Sequence, residues 1–282
     1  MREITWISLI FLLLTGTTTS VLSDYDLVNI PNLFKEKNIT MTEFKNVSML
    51  ESGEYDEIED QRDGDGWRYF TFGDKLRKQV IIYNHGHRGR KQEYEKFATD
   101  GPRKGGRDLY EKAQWYFKNG VSFYGALRKE TSDLEGIYGR GIEAIEVFYN
   151  MTKKVKQIHG EDVDICYVGH SEGGSSVLYS SIFLEGRHVA ISPSHNKYSV
   201  FKLTGKEFYD SPEYYNRTKN LTVLMGGLEL KNSKFEKMFR KAEELDHINT
   251  KLLKGFAHPF MVETMFLDET GPEVLDACGF KN

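Results

Sequence analysis

The chain has 282 residues, 39% of them apolar and 28% charged, with a formal net charge of −4. That is enough apolar surface for one α/β domain with a substantial core, which excludes a disordered chain. The mildly negative balance gives no sign of a nucleic-acid surface, and two cysteines exclude a disulfide framework.

The N-terminus reads as a secretory signal. Met1 and Arg2 supply positive charge, Trp6 to Leu14 form an apolar run, and TGTTTSVLS provides a small, polar exit. A membrane span needs about 20 apolar residues, so this run is too short and no stable membrane span is expected. Residues 1–23 are therefore taken as a signal peptide, cleaved after Ser20 or Ser23. Glycosylation sequons begin at Asn38, Asn46, Asn150, Asn216 and Asn220, in keeping with export to the secretory lumen or the exterior. Residues 24–66 are irregular and acidic, densest at ESGEYDEIEDQRDGDG, and read as a solvated N-terminal extension. One or two edge strands are expected near Trp67–Gly73, opening a catalytic domain over residues 67–282.

After Lys78 the chain alternates between two patterns. Short apolar, β-branched runs occur at Val80–Tyr83, Val121–Tyr124, Val163–Val168, His188–Ile191, Leu221–Met225 and Thr250–Leu253. Helical spacing marks Asp108–Lys118, Ile142–Val155, Ser175–Phe183 and Phe235–Leu245, and Pro259 is expected to begin a final helix. Such alternation predicts an α/β fold with a mostly parallel sheet covered by helices on both faces. About thirty residues separate the runs at His188–Ile191 and Leu221–Met225, room for a short lid but no large cap domain. Cys166 lies within one strand and reads as a buried apolar residue. Cys278 is expected to be free, because a bridge would require the terminal helix to reach the sheet interior.

The strongest local signal is DVDICYVGHSEGG, Asp162 to Gly174. An apolar strand runs directly into Gly169-His170-Ser171-Glu172-Gly173, with a helical pattern after it. A nucleophilic serine on a sharp strand-to-helix turn needs such glycines, because a side chain two residues to either side would strike neighbouring backbone. Ser171 is the predicted nucleophile, with Gly169 and Gly173 as the elbow glycines. A base should follow the last strand, where GFAHPF places His258. The orienting acid should follow an earlier strand, where LTVLMGGLE places Glu229. Asp246 competes for that role but precedes the last strand, at the wrong end of the sheet.

Asn84-His85-Gly86-His87 ends a buried strand. It reads as the loop supplying one oxyanion donor, the N–H of His87, to partner the N–H of Glu172. His85 and His87 have an HxH spacing but no accompanying carboxylate or cysteine cluster, so neither a metal nor a cofactor is expected.

On NHGH, FKNGVSFYGALRKETSDLEG, GHSEGG and GFAHPF, the chain resembles the α/β-hydrolase superfamily, and within it the dienelactone-hydrolase-related branch. The resemblance runs from about Trp67 to Phe260. It implies an esterase, thioesterase, lactonase or peptidase acting through an acyl-serine. Dienelactone hydrolases themselves carry a cysteine nucleophile where this chain has Ser171, so their lactone substrate does not transfer. The expected activity is a secreted serine hydrolase cleaving a carboxylic ester or related acyl bond of a small-molecule or acyl substrate. The alternatives are a peptidase or thioesterase, for which the basic residues Arg88, Arg90, Arg103, Lys104 and Arg107 could hold an acidic group, and a non-catalytic binding protein on the same fold.

Overall fold

The computed structural model describes residues 41–46, 67–73, 75–86, 109–127, 148–193, 216–258 and 266–280. The strands are β1 (Met41–Asn46), β2 (Trp67–Phe72), β3 (Gln79–Asn84), β4 (Ser122–Leu127), β5 (Asp164–His170), β6 (Arg187–Ile191), β7 (Leu221–Gly226) and β8 (Ile248–Leu253). The helices are α1 (Leu109–Lys118), α2 (148–159), α3 (Glu172–Phe183), α4 (Ser233–Glu243) and α5 (Leu267–Ala277).

The strands form one sheet in the order β1-β2-β4-β3-β5-β6-β7-β8. Among the described strands only the β2–β4 pair is antiparallel, and every other neighbouring pair is parallel. The period-two geometry of a strand explains why the inner runs are apolar at consecutive positions. Val80 and Ile82, Ile165 and Tyr167, Val223 and Met225 face one layer, packed against α2, α3 and α4 through Phe148, Met151, Val177, Leu178, Met238 and Phe239. Ile81 and Tyr83, Cys166 and Val168, Val189 and Ile191 face the other, against Ala113 and Tyr116 of α1 and Val274 and Leu275 of α5. Each large apolar side chain fully buried in this way contributes about 1.5–3 kcal/mol.

Two expectations change. The stretch 24–66 supplies an edge strand, β1, pairing Met41 with Trp67 in parallel register. The last described helix is Leu267–Ala277, with Phe266 as its cap, and Pro259, the expected start of a final helix, lies outside the described residues. The cysteines are bridged: Cys166 and Cys278 form a disulfide with 5.5 Å between their Cα atoms. The reason is the docking of α5. Its buried Leu267, Val274 and Leu275 seat it on the sheet, and the chain then carries fully buried Cys278 to the strand that holds Cys166. Arg187 fastens the same point, donating to the Cys278 carbonyl at 2.6 Å and to Asp164 at 2.9 Å.

Parallel strands all end on one rim. That rim carries Asn84–Gly86 after β3, His170–Ser171 after β5, Ser192 after β6, Gly227–Glu229 after β7 and the loop to His258 after β8.

Candidate active site

Ser171 sits between β5 and α3 with φ 56° and ψ −116°, a positive φ that few non-glycine residues adopt. Its backbone is fixed from both sides: its N–H donates to the Ile191 carbonyl at 2.9 Å, and its own carbonyl accepts from Ser175 N at 3.0 Å. The elbow glycines have no room for a side chain. A Cβ at Gly169 would lie 2.3 Å from the Gly173 oxygen, and one at Gly173 would lie 2.1 Å from the Asn84 oxygen. The serine's helix, α3, is buried for nearly its whole length and carries Ser175, Ser176, Ser180 and Ser181. Their hydroxyls bond back to carbonyls three or four residues earlier, which lets a polar sequence occupy a dry position.

Gly86 lies against this turn. A Cβ there would approach the Ser171 Cβ to 3.1 Å and the His170 Nδ1 to 3.3 Å. The loop after β3 therefore reaches the serine through backbone, as an oxyanion loop must. Glu172 opens α3, at the helix N-terminus, where the helix dipole favours developing negative charge. His87 falls outside the described residues. His85 is buried and donates from Nδ1 to the Gly86 carbonyl at 2.7 Å. Among the described residues no three His, Cys, Asp or Glu side chains cluster as metal ligands.

On the other side of the rim, His258 Nδ1 and Glu229 Oε1 are 2.6 Å apart. Glu229 begins a single 3₁₀ turn, Glu229–Lys231, and its side chain is 3% exposed, against 33% for His258. A carboxylate accepts, so Nδ1 is the donor of this pair, and in the neutral ring Nε2 then keeps its lone pair, the tautomer a general base needs. The second oxygen, Oε2, accepts from Gly226 N at 2.8 Å and from the Ser192 hydroxyl. Two backbone bonds join the acid's loop to the histidine's: Gly227 N to the Leu253 carbonyl at 2.8 Å and Leu228 N to the Phe256 carbonyl at 3.0 Å. Asp246 is exposed in the turn before β8, at the opposite rim.

The two sides meet at His170, which precedes the serine. Its Nε2 donates to the His258 carbonyl at 2.9 Å, and its ring lies 4.7 Å from the His258 ring. Burial holds its pKa well below 6.5, helped by the neighbouring His258 and by Lys112 of α1, so it is a neutral donor. Among the described residues the Ser171 hydroxyl has no hydrogen bond, including none to the His258 ring. Such contacts commonly tighten only when substrate binds.

The sequence marks His170 only as part of the elbow motif. Nothing local marks Ser192, because its contact with Glu229 spans 37 positions. Of the sequon residues, Asn216 and Asn220 are exposed, Asn150 is half-buried on α2, Asn46 ends β1, and Asn38 falls outside the described residues. The signal segment and the basic residues between Arg88 and Arg107 also fall outside them. No described helix is long and apolar enough to cross a membrane.

The strand order, the strand-turn-helix at Ser171 and the helices on both faces define a hydrolase-type α/β fold. The sequence matches no protein-family model, and no curated protein at significant similarity. Solved structures do match. The acetyl xylan esterase from Paenibacillus sp. R4 aligns with a TM-score of 0.53 at 12% identity, over 93% of this chain and 96% of that one. Est1E from Butyrivibrio proteoclasticus aligns at 0.49 and 13% identity, over 77% and 97%. A dienelactone hydrolase from Anabaena variabilis ATCC 29413 aligns at 0.45 and 13% identity, over 71% and 86%. Only the first exceeds 0.5, and at that identity it speaks to the fold alone. The protein has the α/β-hydrolase fold.

Proposed function

We propose that the protein is a secreted, glycosylated serine hydrolase that cleaves a carboxylic ester or related acyl bond through an acyl-serine. The observation that carries this reading is the His258–Glu229 pair at 2.6 Å, on the same rim as a serine held at positive φ. Structure of this kind costs stability and is kept where a reactive group must be presented.

In the mechanism, the Ser171 hydroxyl moves into line with His258 Nε2 and gives it the proton as Oγ attacks the acyl carbon. Glu229 holds the ring through Nδ1 and balances the imidazolium charge. The tetrahedral oxyanion is met by the Glu172 N–H and by the loop beyond Gly86, to which His87 belongs. Each such donor contributes roughly 3–4 kcal/mol to the transition state. Collapse breaks the bond to the leaving group, which departs with the proton from Nε2. Water then adds to the acyl-enzyme, giving its proton to Nε2; the Oγ–acyl bond breaks as Nε2 returns that proton to Ser171 Oγ, and the acid product is released.

The test is hydrolysis of p-nitrophenyl esters by the purified protein and by Ser171→Ala. The variant should lose activity by on the order of a millionfold, down to background. Equal turnover by both proteins refutes the assignment. Export is tested separately, by N-terminal sequencing of protein from a eukaryotic secretory host and by its mass before and after deglycosylation. An intact Met1 or an unchanged mass contradicts the corresponding part.

A further inference from the structure

The end of β6 has no role in the mechanism above, yet it touches both sides of the site. Ser192 is fully buried and has φ 41°, a left-handed conformation with no glycine to ease it. Its N–H donates to the Leu224 carbonyl of β7 at 2.7 Å, which locks the turn to the next strand. Its hydroxyl donates to Glu229 Oε2. One residue earlier, the Ile191 carbonyl accepts from Ser171 N at 2.9 Å. The approach is close on the α3 side too: a Cβ at Gly174 would lie 2.9 Å from the Pro193 Cα and 3.0 Å from the Ile191 oxygen. Residues 191 and 192 therefore bracket the elbow on one side and the acid on the other.

We infer that Ser192 is a positioning residue for the hydrolase reaction, acting through Glu229. A glutamate side chain has three torsions to freeze, and one hydrogen bond to His258 leaves its carboxylate free to swivel about that contact. Two donors on Oε2, the Gly226 N–H and the Ser192 O–H, fix the plane of the group and hence the direction in which Oε1 holds the imidazole. The positive φ is what turns the hydroxyl back toward β7 and does not let the chain continue as strand. Nothing about Ser192 requires contact with substrate. This inference rests on the function proposed above, with Glu229 as the acid.

The experiment compares Ser192→Ala and Ser192→Gly with the parent, each also in a Glu229→Ala background, using an activated ester. A hydrogen bond to a charged group is worth about ten- to a hundredfold in rate, so kcat should fall by that factor with KM within about twofold. Ser192→Gly should show the same kcat loss while melting no lower than Ser192→Ala, because glycine accepts the backbone conformation. In the Glu229→Ala background the substitution at Ser192 should change kcat by less than about twofold, since no carboxylate is left to hold. Two results overturn the inference: a folded Ser192 variant with parental kcat, or equal losses with and without Glu229. Failure of the parent to hydrolyse any ester or to react with a fluorophosphonate removes the proposed function itself. Labelling of the parent together with a silent Ser192 substitution removes only this inference.

Discussion

The acid–base side of the site and the serine side are built differently. Glu229 and His258 are held by bonds to each other, to Gly226 and Ser192, to His170, and between their two loops. Ser171 has an anchored backbone at positive φ and a hydroxyl without a hydrogen bond among the described residues. One side is fixed by satisfied polar contacts, the other by steric confinement among glycines and carbonyls. In the proposed mechanism the orienting groups are thus in place before substrate arrives, and what remains is to bring the Ser171 hydroxyl into line with His258. Preorganisation of this kind is where much of an enzyme's electrostatic stabilisation resides.

The largest effect that would break this contrast comes from the acid. Glu229→Gln should preserve the fold but present a donor or a weaker acceptor to Nδ1, lowering kcat on the order of 10⁴-fold as for other orienting acids. Steady-state kinetics on an activated ester decides it. A loss below tenfold would mean that the well-bonded side is structural and not part of the chemistry.

The next tests the confinement of the serine side from below. The Cys166–Cys278 bridge ties α5 to the strand that delivers Ser171, across a sequence separation of 112. Replacing both cysteines by serine should reduce unfolding stability by about 4 kcal/mol, read from denaturant midpoints. Activity per folded molecule should be nearly unchanged, because the elbow's own contacts remain. A variant that stays fully stable but loses activity would show that the elbow depends on the bridge.

The smallest effect concerns the other end of β6. His188 is fully buried, its ring stacked on Tyr167 at 4.8 Å. Burial lowers its pKa to about 3, with the backbone of Lys219 and Gly186 opposing the shift. As pH falls below 6.5 the unfolded chain takes up this proton before the folded one does. Stability present above 6.5 is therefore lost at about 1.4 kcal/mol per pH unit until about pH 3. His170, also depressed by burial, acts with the same sign. His188→Phe, which keeps the stack, should flatten the stability-versus-pH curve by that slope between pH 6 and 4. An unaltered slope would mean that His188 titrates normally.

What could be read from the sequence follows the range of the interactions. The inner strands and the elbow were legible because their signals are local: apolar runs for strands buried on both faces, and glycines spaced around Ser171. Glu229 and His258 were picked out by chain order, since parallel strands deliver their following loops to one rim, and their side chains meet there. β1 was missed because MTEFKN has no apolar run, and its extended state comes from pairing with β2 at the sheet edge. The disulfide was missed because it depends on how deeply α5 docks, a property of the assembled face opposite α3. Ser192 was missed for the same reason. Its partner is chosen by strand order in space and by a backbone angle that no short motif announces.

Reaction with a fluorophosphonate, followed by peptide mass mapping of the native protein and of His258→Ala, bears most directly on whether the serine and histidine form one catalytic unit. The expected result is a single phosphonylated residue, Ser171, with labelling slowed by several orders of magnitude in the variant. Modification elsewhere, or equal labelling rates in the two proteins, would contradict it.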